Sequence, residues 1–211
     1  MNPMSQPIPQ EWESYVTQTG VGLEIVPHII YDTATYVTAA TVDLPFFQTN
    51  RATADLTNIQ QPGLLPSPQS FLIQNISVGF KIQPMTSAQT ATNTIQLGIY
   101  NDLVLLINTG IFRMVIGEKR YGPWPLARLP LSTFVKGVLV NAGATAANLT
   151  SGYANTDGPL YALMPNLLIS PLQQFSVNLQ WPAGAVTLTT SGVVPMVLTV
   201  MLDGQLSRAI Q

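Results

Sequence analysis

The 211-residue chain is long enough for one large all-β domain, yet it is 46% hydrophobic and only 9% charged, far below the roughly 25% of an ordinary soluble domain. A surface built from Thr, Ser, Asn, Gln and small apolar residues loses little on desolvation, which suits extensive burial against other proteins. The eight basic residues are scattered and ten acids bring the net charge to −2, so the clustered cations that bind phosphates are missing and no direct nucleic-acid binding is expected.

Residues 1–20 are polar and carry Pro3, Pro7 and Pro9, with Glu11 and Glu13 on either side of Trp12. They read as an extended N-terminal arm, and Trp12 and Tyr15 are the aromatic anchors by which it would dock. A single domain is expected over 21–211. Leu23–Tyr31 is rich in β-branched residues, and Pro27 places it at a sheet edge or a bulge. Thr35–Val42 reads as a second strand. The irregular stretch from about residue 45 to 70 is longer than compact domains usually tolerate without a use for it. In Phe71–Ile82 the residues from Asn75 alternate, with Ile76, Val78, Phe80 and Ile82 on one face.

Thr94–Tyr100 follows as a further segment, and Asp102–Asn108 fits a short helix or a strand equally well. Ile111–Ile116 alternates again and stops at Gly117. Tyr121–Pro130 holds three prolines and cannot be a central strand. Phe134–Val140 and Leu160–Ile169 come next, the second open to a helical reading. Phe175–Trp181 is a clean period-2 strand, and Val197–Leu202 is the last, closed by Asp203-Gly204 read as a turn. Eight to ten short strands with Pro and Gly punctuation indicate a β-sandwich or barrel.

Chemistry finds little purchase. His28 is the single histidine, so zinc motifs needing two cannot form within one chain, and no G-x-S-x-G elbow accompanies it. No cysteine supplies a nucleophile or metal ligand, and the acids form no pair on one strand face. No catalytic residue, cofactor or metal is therefore expected, and the chain reads as a non-enzyme. No segment reaches the roughly 18 apolar residues of a membrane helix, and the start lacks the basic and apolar regions of a signal peptide. Tyr153, Tyr161, Trp124 and Trp181 are the aromatics that a sugar-binding face would use. Core or rim packing suits Trp181 better, whereas Trp124, set between two prolines, suits an exposed contact. Trp124 and Arg128 are the interface candidates within the domain.

Leu64–Phe71 leading into a long strand, Gly117–Pro123 with the Pro/Leu segment to Pro130, Leu172–Leu179 with its late partner Val197–Leu202, and the tail Leu202–Gln211 together carry a resemblance. The chain resembles the jelly-roll capsid proteins of tailless bacterial viruses with an internal membrane. The resemblance implies a single β-sandwich of about eight strands in two sheets, with long loops and an N-terminal arm. It also implies a virion subunit made in the host cytoplasm, whose partners are copies of itself or sister capsid proteins over an underlying membrane. The acidic arm departs from the basic arms that condense RNA genomes. The competing expectation is a carbohydrate- or receptor-binding β-sandwich module, of the phage-fibre or lectin-like kind.

Overall fold

The computed structural model describes residues 23–48, 56–82, 93–129, 134–136, 139–140, 149–150, 153–155, 161–189 and 196–209. Trp12, Tyr15 and the rest of the expected arm lie outside them. In chain order the strands are β1 (Leu23–Tyr36), β2 (Asp43–Phe46), β3 (Ser70–Ile82), β4 (Ile111–Ile116), β5 (Lys119–Pro125), β6 (Phe134–Lys136), β7 (Leu139–Val140), β8 (Leu149–Thr150), β9 (Tyr153–Asn155), β10 (Tyr161–Ile169), β11 (Phe175–Gln180) and β12 (Met196–Ala209). Helix α1 (Asn93–Thr109) precedes β4, and a 3-10 turn (Leu126–Arg128) follows β5.

Eight strands form two four-stranded antiparallel sheets, ordered β1-β12-β3-β10 and β2-β11-β4-β5. Along the chain their pairings nest: β1 with β12, β2 with β11, β3 with β10, and β4 with β5. Between β5 and β10 the short ladders β6·β9 and β7·β8 nest in the same way.

Period-2 patterning explains why the two sheets face each other. Phe175, Val177 and Leu179 alternate with half-exposed Ser176, Asn178 and Gln180, and Phe112, Met114 and Ile116 do the same on β4. From the other sheet, Ile30, Tyr36, Phe71, Ile73, Ile76, Val78, Phe80, Leu198, Val200 and Leu202 join them in one core. Each such side chain contributes about 1.5–3 kcal/mol by leaving water. The inward set on β3 changes phase between Ile73 and Ile76. The change occurs because β12 pairs Asp203 with Asn75 and Gly204 with Ile73, leaving Gln74 as an inserted residue.

All four edge strands of the two four-stranded sheets carry proline: Pro27 in β1, Pro45 in β2, Pro123 and Pro125 in β5, and Pro165 in β10. The four central strands carry none. Proline donates no ladder hydrogen bond, so it is tolerated at an edge and blocks edge-to-edge growth there. The β1 edge is also covered by a side chain. Asn58 accepts from the Tyr31 amide at 2.9 Å and donates to the Ile29 carbonyl at 2.6 Å, standing in for a neighbouring strand.

Several expectations need correction. Thr35–Val42 is not one strand: β1 ends at Tyr36, and the Val37 carbonyl accepts from Ala40 and Thr41 in the turn that carries the chain to the other sheet. Thr94–Tyr100 and Asp102–Asn108 belong together to helix α1. Of Leu160–Ile169, the described residues Tyr161–Ile169 form a strand, whose register jumps between Ala162 and Leu167, across Pro165. Of Phe134–Val140, the described residues Phe134–Lys136 and Leu139–Val140 belong to two strands, β6 and β7. Asp203-Gly204 is not a turn: both residues lie within β12, opposite the bulge at Gln74 of β3, and the strand continues to Ala209. The exclusion of Tyr121–Pro130 from a central place needs no correction, since Tyr121–Pro125 pairs only at a sheet edge.

Candidate functional site

Two buried acids serve the fold. Asp32, 1% exposed, accepts from the amides of Phe47 (2.6 Å) and Thr33 (2.9 Å), fixing the chain's entry into the irregular stretch. Asp102, fully buried on α1, accepts from the Thr189 amide (2.9 Å) and hydroxyl (3.0 Å) and ties the helix to the segment after β11. Both carboxylates are engaged in holding backbone, where a catalytic acid would need an open face.

His28 is exposed on the β1 edge, with its ring edge-on to Phe71 at 6.4 Å. Burial, followed by the Arg208 charge, lowers its pKa below 6.5. It borders a cavity of about 90 Å³ whose described lining contains amides such as Asn58 and Gln69 but no carboxylate, so no triad assembles around it among the described residues. A larger cleft of about 300 Å³ lies between Phe47, Gly63, Gly117, Gln174 and Phe175. Phe47 and Phe175 are 2% and 3% exposed, so they give a sugar ring no face to stack on. Trp181 is fully buried and belongs to the core.

Outward-pointing residues of the two sheets differ. On β3 and β12, Leu72, Ser77 and Val197 point away from the core yet are buried, so that face is a covered one. Ser70 and Ser207 face each other there, and both hydroxyls, together with Asp203 Oδ2, are buried without a hydrogen-bond partner among the described residues. Burial raises the Asp203 pKa above 3.8. The folded chain therefore holds that proton more tightly than the unfolded one. Stability is lost as pH rises from 3.8 through the folded value, and the loss persists above it. Asp203→Asn is expected to raise the melting temperature at neutral pH, with the difference closing well below 3.8; thermal melts across pH check both halves of that statement.

The outer face of β2-β11-β4-β5 is the more open one. Its rows read Arg120–Val115–Ser176, then Arg113–Asn178–Pro45, then Pro125–Ile111–Gln180–Asp43. Arg113 and Arg120 are exposed; Val115, Ser176 and Asn178 are half-buried. Asn178 is held in place by Gln48 (3.0 Å) and Asp43 (3.2 Å). Four of the chain's eight basic residues, Arg113, Lys119, Arg120 and Arg128, fall on β4, β5 and the 3-10 turn. Scatter along the sequence thus becomes a small cluster on folding. Reading Gly117-Glu118 as a hairpin turn would have found it, since that turn sets Arg120 opposite Val115 and diagonal to Arg113.

Of the interface candidates, Trp124 is half-buried and stacks on Phe112 with ring centroids 5.7 Å apart. Arg128 is exposed at the end of the 3-10 turn. The two therefore lie close in sequence on one margin of the second sheet, and Trp12 and Tyr15 lie outside the described residues. Comparison with protein-family models, curated proteins and solved structures gave no match to this chain.

Proposed function

We propose that the chain is a viral capsid subunit with a jelly-roll fold, which self-assembles into a virion shell through weak, largely uncharged interfaces and its N-terminal arm. The observation that carries this reading is the nesting of four antiparallel pairs into sheets ordered β1-β12-β3-β10 and β2-β11-β4-β5. A long ribbon of paired strands rolled across two sheets would produce that order, which supports the jelly-roll reading. Sparse charge supports the functional half, because few ions need to be stripped of water at each contact. Proline in each edge strand of the two four-stranded sheets adds to it: open-ended growth through those edges is blocked, so contacts fall to faces, loops and the arm. A closed shell then multiplies weak contacts through symmetry.

The full chain is expected to self-associate, alone or with sister coat proteins, as read by light scattering, native mass spectrometry and negative-stain microscopy. Removing residues 1–19 is expected to leave the two sheets folded by circular dichroism while abolishing particles. A strictly monomeric chain at high concentration, with no sister protein to join, would overturn the reading. Specific, saturable binding on a glycan array would favour a carbohydrate-binding module instead.

A further inference from the structure

We propose that Arg113 and Arg120, side by side on the outer face of the second sheet, receive Glu11 and Glu13 from the arm of a neighbouring copy. This inference rests on the assembly reading and names the surface that the arm would use. Both arginines are exposed, and neither is engaged in an ion pair among the described residues. They occupy diagonal positions across the β4–β5 ladder, where side chains start about 7–8 Å apart. Residues 1–20 hold two acids and no lysine or arginine, and the acids are spaced i, i+2. In an extended segment such residues share a side about 6.6 Å apart, so the spacing of the acids matches that of their receivers. Beside the arginines, Val115 and Ile111 are half-buried and offer apolar surface to an arm that also brings Trp12 and Tyr15.

Among the described residues the other charges nearby are Lys119 and Glu118 at the hairpin turn, Arg128 at the 3-10 turn and Asp43 at the far edge of the sheet, where Asn178 engages it. The first sheet's outer face is the weaker candidate: its residues Leu72, Ser77 and Val197 are already covered. An isolated exposed ion pair contributes little, but two adjacent pairs repeated at every subunit contact set the register of the arm and repel a wrong one.

The test is charge reversal in the full-length chain. Glu11→Arg with Glu13→Arg in one variant, and Arg113→Glu with Arg120→Glu in another, are each expected to lose the associated species seen for wild type by sedimentation velocity. Arg113 and Arg120 are exposed, and circular dichroism checks that both variants fold. Mixing the two variants is expected to restore association, because the reversed arm of one then meets the reversed receiver of the other. If only the fourfold variant associates and the mixture does not, the arm docks on its own subunit and the proposal is overturned. Undiminished association of the Arg113→Glu, Arg120→Glu variant overturns it while leaving the assembly reading standing. A wild-type chain that stays monomeric overturns both.

Discussion

Trp181→Ala is expected to cost about 3–5 kcal/mol, a large share of the roughly 5–15 kcal/mol that holds a domain of this kind together. Trp181 is fully buried where four segments meet. Its ring lies edge-on to Tyr36 at the end of β1, with centroids 4.8 Å apart. Its Nε1 donates to the Leu106 carbonyl near the end of α1 at 3.1 Å, and its backbone amide donates to Val42 at 2.9 Å. Removing the indole leaves a cavity that rigid strands on both sides cannot close. Trp181→Phe isolates the polar part of the effect. Leu106 keeps the Gly110 amide as a second donor, at 3.1 Å, so its carbonyl is not orphaned and the loss should be nearer 1 kcal/mol. Denaturant midpoints at constant m-value give both numbers, and hydrogen exchange should show the last turn of α1 loosening first in the alanine variant. A Trp181→Ala protein as stable as wild type would mean that the indole is not the joint between helix and sheets.

That joint also shows where local patterning stops being informative. The two-sheet reading was legible because inward residues such as Val177 and Leu179, or Met114 and Ile116, recur every second position with polar residues between them. The edge strands were half legible: Pro27 marked one, and the prolines of β5 excluded a central place. Helix α1 was hidden by Asp102. A charged residue in the middle of the stripe containing Leu103 and Leu106 breaks the helical apolar pattern, and its compensation, Thr189, lies 87 residues away. Partners that distant leave no mark on a short window of sequence. Trp181 and Leu106, 75 residues apart, are the same case. Asp203-Gly204 misled for a different reason, since the dipeptide favours tight turns and the glycine is needed here for a close approach between strands.

Gly204→Ala is expected to be the most costly single-methyl change in the described strands, about 3 kcal/mol or more. A Cβ at Gly204 would collide with the Leu72 carbonyl oxygen and crowd its carbon at 2.9 Å. Both are backbone atoms of central strands, so neither can rotate away as a side chain would. Relief requires β12 and β3 to part at the bulge. Gly117→Ala makes the comparison: its φ of +58° strains an alanine, but the atom met is Gln173 Nε2, the far end of a flexible side chain, and about 1 kcal/mol is expected. The damage at Gly204 should also be directional. Beyond the bulge, Gln205–Ala209 pairs with Leu23–Pro27, and Arg208 bonds Glu24 at 2.8 Å. Parting the strands there frees the start of β1, the strand that residues 1–20 lead into. Hydrogen exchange is therefore expected to rise first over Leu23–Pro27 and Gln205–Ala209, with Leu198–Leu202 still protected, and self-association should weaken before the core melts. Equal stability of the Gly204 and Gly117 alanine variants, or uniform exchange along β12, would mean that the two strands do not approach as closely at the bulge as the Leu72 contact requires.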